Sequence, residues 1–133
     1  MSITRVLLVD DFARCRETVG AMLRPNRDLE VVGEAADGLE AVRLAEQLQP
    51  DLILLDLNLP GLNGIEVARR IRKLSPGSKI VMMSEECSHD IVEEAVRSGV
   101  LGYVRKSAMA KQLIPTIEAA FQGKVRLLGA SDL

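Results

Sequence analysis

Five short apolar runs alternate with amphipathic stretches along almost the whole chain: Val6 to Val9, Leu29 to Val32, Leu52 to Leu55, Ile80 to Met83 and Gly102 to Val104. Runs of this length suit buried strands, and the stretches between them repeat apolar residues at helical spacing. Strand and helix in regular alternation predict an α/β chain with a parallel sheet wrapped by helices, because each strand must return to the same end of the sheet over one of its faces. Few other architectures accept this pattern.

The helical stretches carry their own signals. The first runs from Phe12 to Leu23, with Cys15, Val19, Met22 and Leu23 on one face. The second spans about Leu39 to Gln47, entered through Asp37-Gly38 and closed by Pro50, with Leu39, Val42 and Ala45 inward. After the PGLNG loop, Ile65, Ala68 and Ile71 face inward while Arg69, Arg70, Arg72 and Lys73 face water, so this basic run reads as a solvated helix face. A fourth helix extends from about Asp90 to Ser98 with Ile91, Ala95 and Val96 inward, and Gly99 supplies its stop. The last runs from Ala108 to Gln122 with Leu113, Ile117, Ala120 and Phe121 inward; Pro115 inside it removes a donor and should kink it or weaken its first turns. From Gly123 to Leu133 the periodicity is lost.

With 133 residues, the chain suits one domain, and 17 Lys or Arg against 19 Asp or Glu give a net charge of -2. That balance and an aromatic content of 2% offer neither the basic field nor the stacking surface of a self-sufficient nucleic-acid binder. The longest stretch free of charge, Leu57 to Ile65, is too short and too rich in Pro and Gly to span a bilayer. The opening MSITRVLLVDD is too short in its apolar part and too acidic for a signal peptide, so a cytoplasmic location is expected. Cys15 and Cys87 lack a CxxC partner or a histidine in ligand spacing, and neither a disulfide nor a zinc site is expected. His89 reads as a solvated loop residue.

Polar groups fall where the apolar runs end. The first run ends in Asp10 and Asp11, the third in Asp56, the fourth in Ser84 and the fifth in Arg105 and Lys106. In open parallel sheets the ligand crevice lies outside the carboxyl ends of the strands, so these groups should converge. Three carboxylates about 4 to 6 Å apart repel by roughly 1 kcal/mol per pair in water and by several at an effective dielectric of about 20. Lys106 offsets part of that charge, and a hard divalent cation suits the rest, Mg2+ being favoured because it accepts carboxylates and keeps waters for a phosphate. A phosphoryl group entering such a site needs a nucleophile, a hydroxyl donor and a cation around it, and Asp56, Ser84 and Lys106 have those chemistries. Taken alone, Asp10-Asp11 would equally suit a helix cap.

Together these residues closely resemble the receiver domain of bacterial two-component response regulators. The resemblance rests on Asp10-Asp11 after the first strand, Asp56 followed by LNLPGLNG, Ser84 after the fourth strand, and Tyr103 with Lys106 at the fifth; it covers roughly residues 4 to 123. It implies a flavodoxin-like (βα)5 fold with sheet order 2-1-3-4-5 and helices on both faces, the order for which a chemotaxis receiver is a standard example. It further implies that Asp56 accepts a phosphoryl group from a sensor histidine kinase, and that Asp11, Asp56 and the backbone carbonyl of Asn58 ligate Mg2+, with Asp10 acting mostly through water. Ser84 resembles the switch hydroxyl, Tyr103 the aromatic residue that swings inward, and Lys106 the partner of a phosphate oxygen. Such a domain is a phosphoacceptor that assists its own phosphoryl transfer, not an enzyme acting on other substrates.

The stretches from Ala35 to Arg72 and from Gly102 to Lys124 look most like the subfamily in which a helix-turn-helix output domain follows. On that reading residues 4–123 form the receiver and 124–133 a tail or the start of a linker. DNA would be reached only through the output domain, a phosphorylation-dependent homodimer is expected, and no membrane partner is. A stand-alone phosphorelay receiver is the rival reading. A haloacid-dehalogenase-like phosphatase would need a DxD pattern where Asp10-Asp11-Phe12 stands, and a flavodoxin-like FMN carrier a Ser/Thr-rich phosphate loop after the first strand.

Two departures from the family pattern lie close to the expected site. Ser107 follows Lys106 where many receivers have a cis proline, so a trans bond and a differently placed loop are expected. Glu85 follows Ser84 where a small residue is common, with Glu86 beyond it; either Glu85 points inward and opposes the phosphate, or both acids turn into water and narrow the entrance.

Overall fold

The computed structural model describes residues 2–123 and 126–127. In chain order the elements are β1 (Thr4–Val9), α1 (Ala13–Leu23), β2 (Leu29–Ala35), α2 (Gly38–Leu48), β3 (Leu52–Asp56), α3 (Gly64–Leu74), β4 (Lys79–Ser84), α4 (His89–Arg97), β5 (Gly102–Arg105), a 3-10 turn (Lys106–Ala108), α5 (Met109–Phe121) and β6 (Arg126–Leu127). The strands lie in the order β2-β1-β3-β4-β5-β6, and every neighbouring pair is parallel. The flavodoxin-like order 2-1-3-4-5 is therefore present, extended by one short strand. β6 pairs Arg126 with Gly102 and Leu127 with Tyr103, inside a stretch expected to be a tail or linker. Two residues carry no periodicity, so sequence pattern alone gives no sign of them. The remainder of the tail lies outside the described residues.

Alternation along the strands divides the core in two. One face of the sheet presents Leu7, Val9, Ile53, Leu55, Ile80, Met82 and Tyr103 to α2, α3 and α4. The other presents Val6, Leu8, Leu52, Leu54, Val81, Met83 and Val104 to α1 and α5. β3 is buried along its whole length, which is why its sequence is continuous apolar residues up to Asp56. Edge strand β2 is half open, with Val31 and Glu30 exposed.

Side-chain caps set the entries to three helices: Asp37, Asn63 and Ser88 accept the amides of Glu40, Glu66 and Ile91. Several expectations require correction. Phe12 is not helical but precedes α1, and it is 66% exposed. Leu39 and Phe121, read as inward, are also exposed; Ala41 and Ala45 fill the α2 contact, and the Phe121 ring lies beneath the Lys79 ammonium instead. Periodicity fixes the face of a helix but not its rotation at the ends, where contact with the sheet decides. α5 runs unbroken through Pro115. The carbonyl deprived of a donor by that proline belongs to Lys111, an exposed residue, so water can take the place of the lost bond. Among the described residues no helix is long and apolar enough to cross a membrane.

Candidate functional site

The chain leaves β1 toward the β2 side of the sheet and later returns to β3 on the other, which opens a crevice at the carboxyl ends of these strands. Asp10 follows β1 directly. Its backbone N–H donates to the Ala35 carbonyl at 3.0 Å, and its Oδ1 accepts the Phe12 amide at 2.9 Å, turning the chain into α1. Asp10 does not cap α1, whose N-cap Phe12 has no side-chain hydrogen bond to the helix; one oxygen of Asp10 holds the turn before the helix and its second, Oδ2, accepts the Lys106 ammonium at 2.8 Å. Arg16 braces the same residue from α1, donating to the Asp10 carbonyl at 2.6 Å while pairing with Glu34 at 2.8 Å.

Asp56 ends β3 and is buried. Its Oδ1 accepts the Asn58 amide at 3.2 Å and its Oδ2 lies 3.2 Å from the same Lys106 ammonium. Asp11 supplies the third carboxylate, half-buried, with one oxygen, Oδ1, buried and without a hydrogen-bond partner. One oxygen from each of Asp10, Asp11 and Asp56 lies within 4.8 Å of the others. An oxygen-only donor set with an orphaned buried oxygen suits a hard divalent cation, because a buried anionic atom without a donor is costly and Mg2+ or Ca2+ takes such atoms as ligands.

The charges are unevenly shared. Burial pushes the Asp56 carboxyl above the usual carboxylate range, although Lys106 draws it down. Burial acts on Asp10 in the same sense, but there hydrogen bonds from the Cys15 thiol, Lys106 and the Phe12 amide outweigh it and hold the carboxyl low. Burial would lower Lys106; Asp10 and Asp56 reverse this and raise it, so it is held as a cation. Cys15 is pushed up to about 11 by burial and by Asp10, which marks it as a neutral donor. Sequence reasoning does not single out Cys15 or Arg16 for the site; their only signal is helical spacing from the acidic pair.

Ser84 ends β4, buried, one position beyond Met83, the β4 residue paired with Asp56. Its Oγ accepts the Glu86 amide at 2.9 Å, which leaves the hydroxyl proton to donate. Tyr103, fully buried on β5, donates its hydroxyl to the Glu86 carbonyl. Glu86 is therefore gripped at its N–H by Ser84 and at its C=O by Tyr103. Asn58 sits exposed at the rim just after β3.

Four strand ends bringing acids, a hydroxyl and a lysine to one crevice agree with the likeness to known proteins. The model of the response regulator receiver domain family matches residues 6–118. The chain belongs to that family. It is 39% identical over 123 residues to the transcriptional regulatory protein LiaR of Bacillus subtilis (strain 168), an alignment covering 92% of this chain and 58% of LiaR. It is 38% identical to the nitrate/nitrite response regulator protein NarL of Escherichia coli (strain K12), covering 92% of this chain and 56% of NarL. This receiver thus spans little more than half the length of these curated relatives. Among solved structures, a two-component response regulator of the LuxR family from Aurantimonas sp. SI85-9A1 matches with a TM-score of 0.92 at 33% identity, over 98% of this chain and 94% of that one.

The two departures of this receiver also have definite places. There is no cis peptide bond among the described residues, so Lys106-Ser107 is trans as expected. Glu85 and Glu86 are both exposed, in line with the outward course, and the Glu85 carboxylate in addition accepts the Ser107 amide at 2.7 Å.

Proposed function

We propose that this receiver takes a phosphoryl group from a sensor histidine kinase onto Asp56 and transmits the change through Ser84 and Tyr103. One observation carries the reading: buried Asp56 and Asp10 share the Lys106 ammonium while Asp11 holds an unpartnered buried oxygen beside them. An Asp56 carboxylate oxygen attacks phosphorus, the P–N bond of the phosphohistidine breaks with its electron pair left on the imidazole nitrogen, and an acyl phosphate forms. Lys106 then has an anionic phosphoryl oxygen to pair with, and the Ser84 hydroxyl donates to another. Asp11, Asp56 and the Asn58 backbone carbonyl, with Asp10 through water, would hold Mg2+, which supplies positive charge against the carboxylates and the phosphoryl oxygens. The chain acts on its own phosphoryl group and turns over no other substrate.

If Ser84 turns toward phosphate, its hold on the Glu86 amide is given up, and the segment bonded to Tyr103 is free to shift. Tyr103 is inward in the unphosphorylated chain, which supports a bias on an existing equilibrium in preference to a newly created state. The readout surface is then α4, β5 and α5, through which phosphorylation promotes a homodimer. Residues 4–123 form the receiver and 124–133 the start of a connection to an output domain; DNA binding in the cytoplasm by that output domain is the activity of the whole protein, as the transcriptional relatives suggest. Acetyl phosphate with and without Mg2+, read by intact mass, tests the centre of this reading. The expected result is one phosphoryl adduct that requires Mg2+ and is lost in Asp56→Asn; an adduct persisting in that variant overturns it.

A further inference from the structure

We infer that Glu85 is a positioning residue for Lys106, its carboxylate clasping the peptide of Ser107 and so fixing the turn that carries the ammonium into the acidic cluster. This role rests on the phosphoacceptor reading above and joins the two places where this chain departs from its family. The Ser107 amide donates to Glu85 Oε1 at 2.7 Å and the Ser107 hydroxyl to Oε2 at 3.3 Å. β4 pairs Ser84 with Arg105, so the next residues on the two strands, Glu85 and Lys106, leave the sheet side by side.

The turn needs such a partner. The 3-10 turn of Lys106–Ala108 has no side-chain cap from Arg105, and α5, which follows at once, has none from Ala108 and no acid in its first turn. Free N–H groups at a helical start are satisfied by an anionic acceptor, and Glu85 supplies one from the neighbouring loop. Proline at 107 would have no N–H to offer, so the serine and the glutamate make sense as a pair where each alone looks like a defect. A carboxylate engaged in this way is also withheld from the phosphoryl oxygens. Both side chains are exposed, so water competes and the expected effect is moderate.

Amide exchange in the metal-free, unphosphorylated chain and acetyl-phosphate labelling with Mg2+ together test the clasp. In Glu85→Ala, Ser107 exchange should rise about tenfold while core amides such as Val81 stay unchanged, and labelling should slow about threefold, the loss of one charge-assisted hydrogen bond in part replaced by water. Glu85→Gln, which keeps an acceptor oxygen, should restore most of both; Ser107→Ala, which keeps the N–H and loses only the longer hydroxyl bond, should stay much closer to the parent than Glu85→Ala. Unchanged Ser107 exchange in Glu85→Ala overturns the clasp, and unchanged or faster labelling overturns its positioning role. Labelling that survives Asp56→Asn overturns the phosphoacceptor reading instead, and exchange at Ser107 still decides the clasp.

Discussion

Asp11 is the carboxylate whose buried oxygen has no donor, while Asp10 and Asp56 share Lys106. Its charge therefore works against the metal-free fold. Removing one of three crowded carboxylates relieves about 1 kcal/mol of repulsion, so Asp11→Ala should melt about 4 °C higher than the parent without metal. Calorimetry should also show the parent gaining stability with added Mg2+ and the variant gaining none, since binding to the folded state alone is what raises it. A variant that melts lower without metal would remove the crowded-acid account. At this scale the sequence is most informative where a charge ends an apolar run. Asp56 and the acidic pair stand out because a buried charge requires a partner. Cys15 and Arg16 do not, because their helical spacing from Asp10 is shared by any residue on that face, and the Glu85 to Ser107 contact does not, because it joins residues brought close only by the fold.

Between elements, the start of α3 lies tight against the end of β3. Gly64, the first residue of α3, sends its N–H to the Leu57 carbonyl at 2.7 Å. A Cβ there would lie 2.5 Å from the Asp56 carbonyl oxygen and 2.8 Å from the Leu57 Cα, both backbone atoms that cannot rotate away. Gly64→Ala must therefore displace α3 or the peptide carrying Asp56, at a cost of about 2 kcal/mol. A drop in melting temperature with slower acetyl-phosphate labelling is expected, against little change for Gly77→Ala, where a Cβ meets nothing within 4 Å. Equal behaviour of the two variants would refute it. Sequence offers Gly64 only as part of the PGLNG loop; the strands and most inward faces are legible because burial imposes a period. Helix ends are not, since Phe12, Leu39 and Phe121 are apolar yet open to water.

Across the whole molecule, the alternation of runs and helices suffices for the layers and the meeting of Asp10, Asp11, Asp56 and Lys106, because parallel strands carry their carboxyl ends to one edge. The strand order comes from resemblance, and β6 has no pattern to reveal it. Global stability should carry a signature of the same architecture at high pH. Tyr103 is the only tyrosine and there is no tryptophan, so the near-ultraviolet phenolate band reports this residue alone. Burial pushes its hydroxyl up to about 12, against about 10 in an unfolded chain. In that window the folded state holds a proton that the unfolded state has released. Its contribution is complete below pH of about 10 and is lost as pH rises toward about 12, on the order of 2 kcal/mol in all. Denaturant midpoints measured across that window should fall more steeply for the parent than for Tyr103→Phe, which has no phenol to ionise. Lys106 is raised as well and loses its charge at high pH in both proteins, so the difference between them isolates Tyr103. A phenolate midpoint near 10 in the folded chain, or parallel curves for the two proteins, would show that the ring is not held as the buried hydroxyl donor to Glu86.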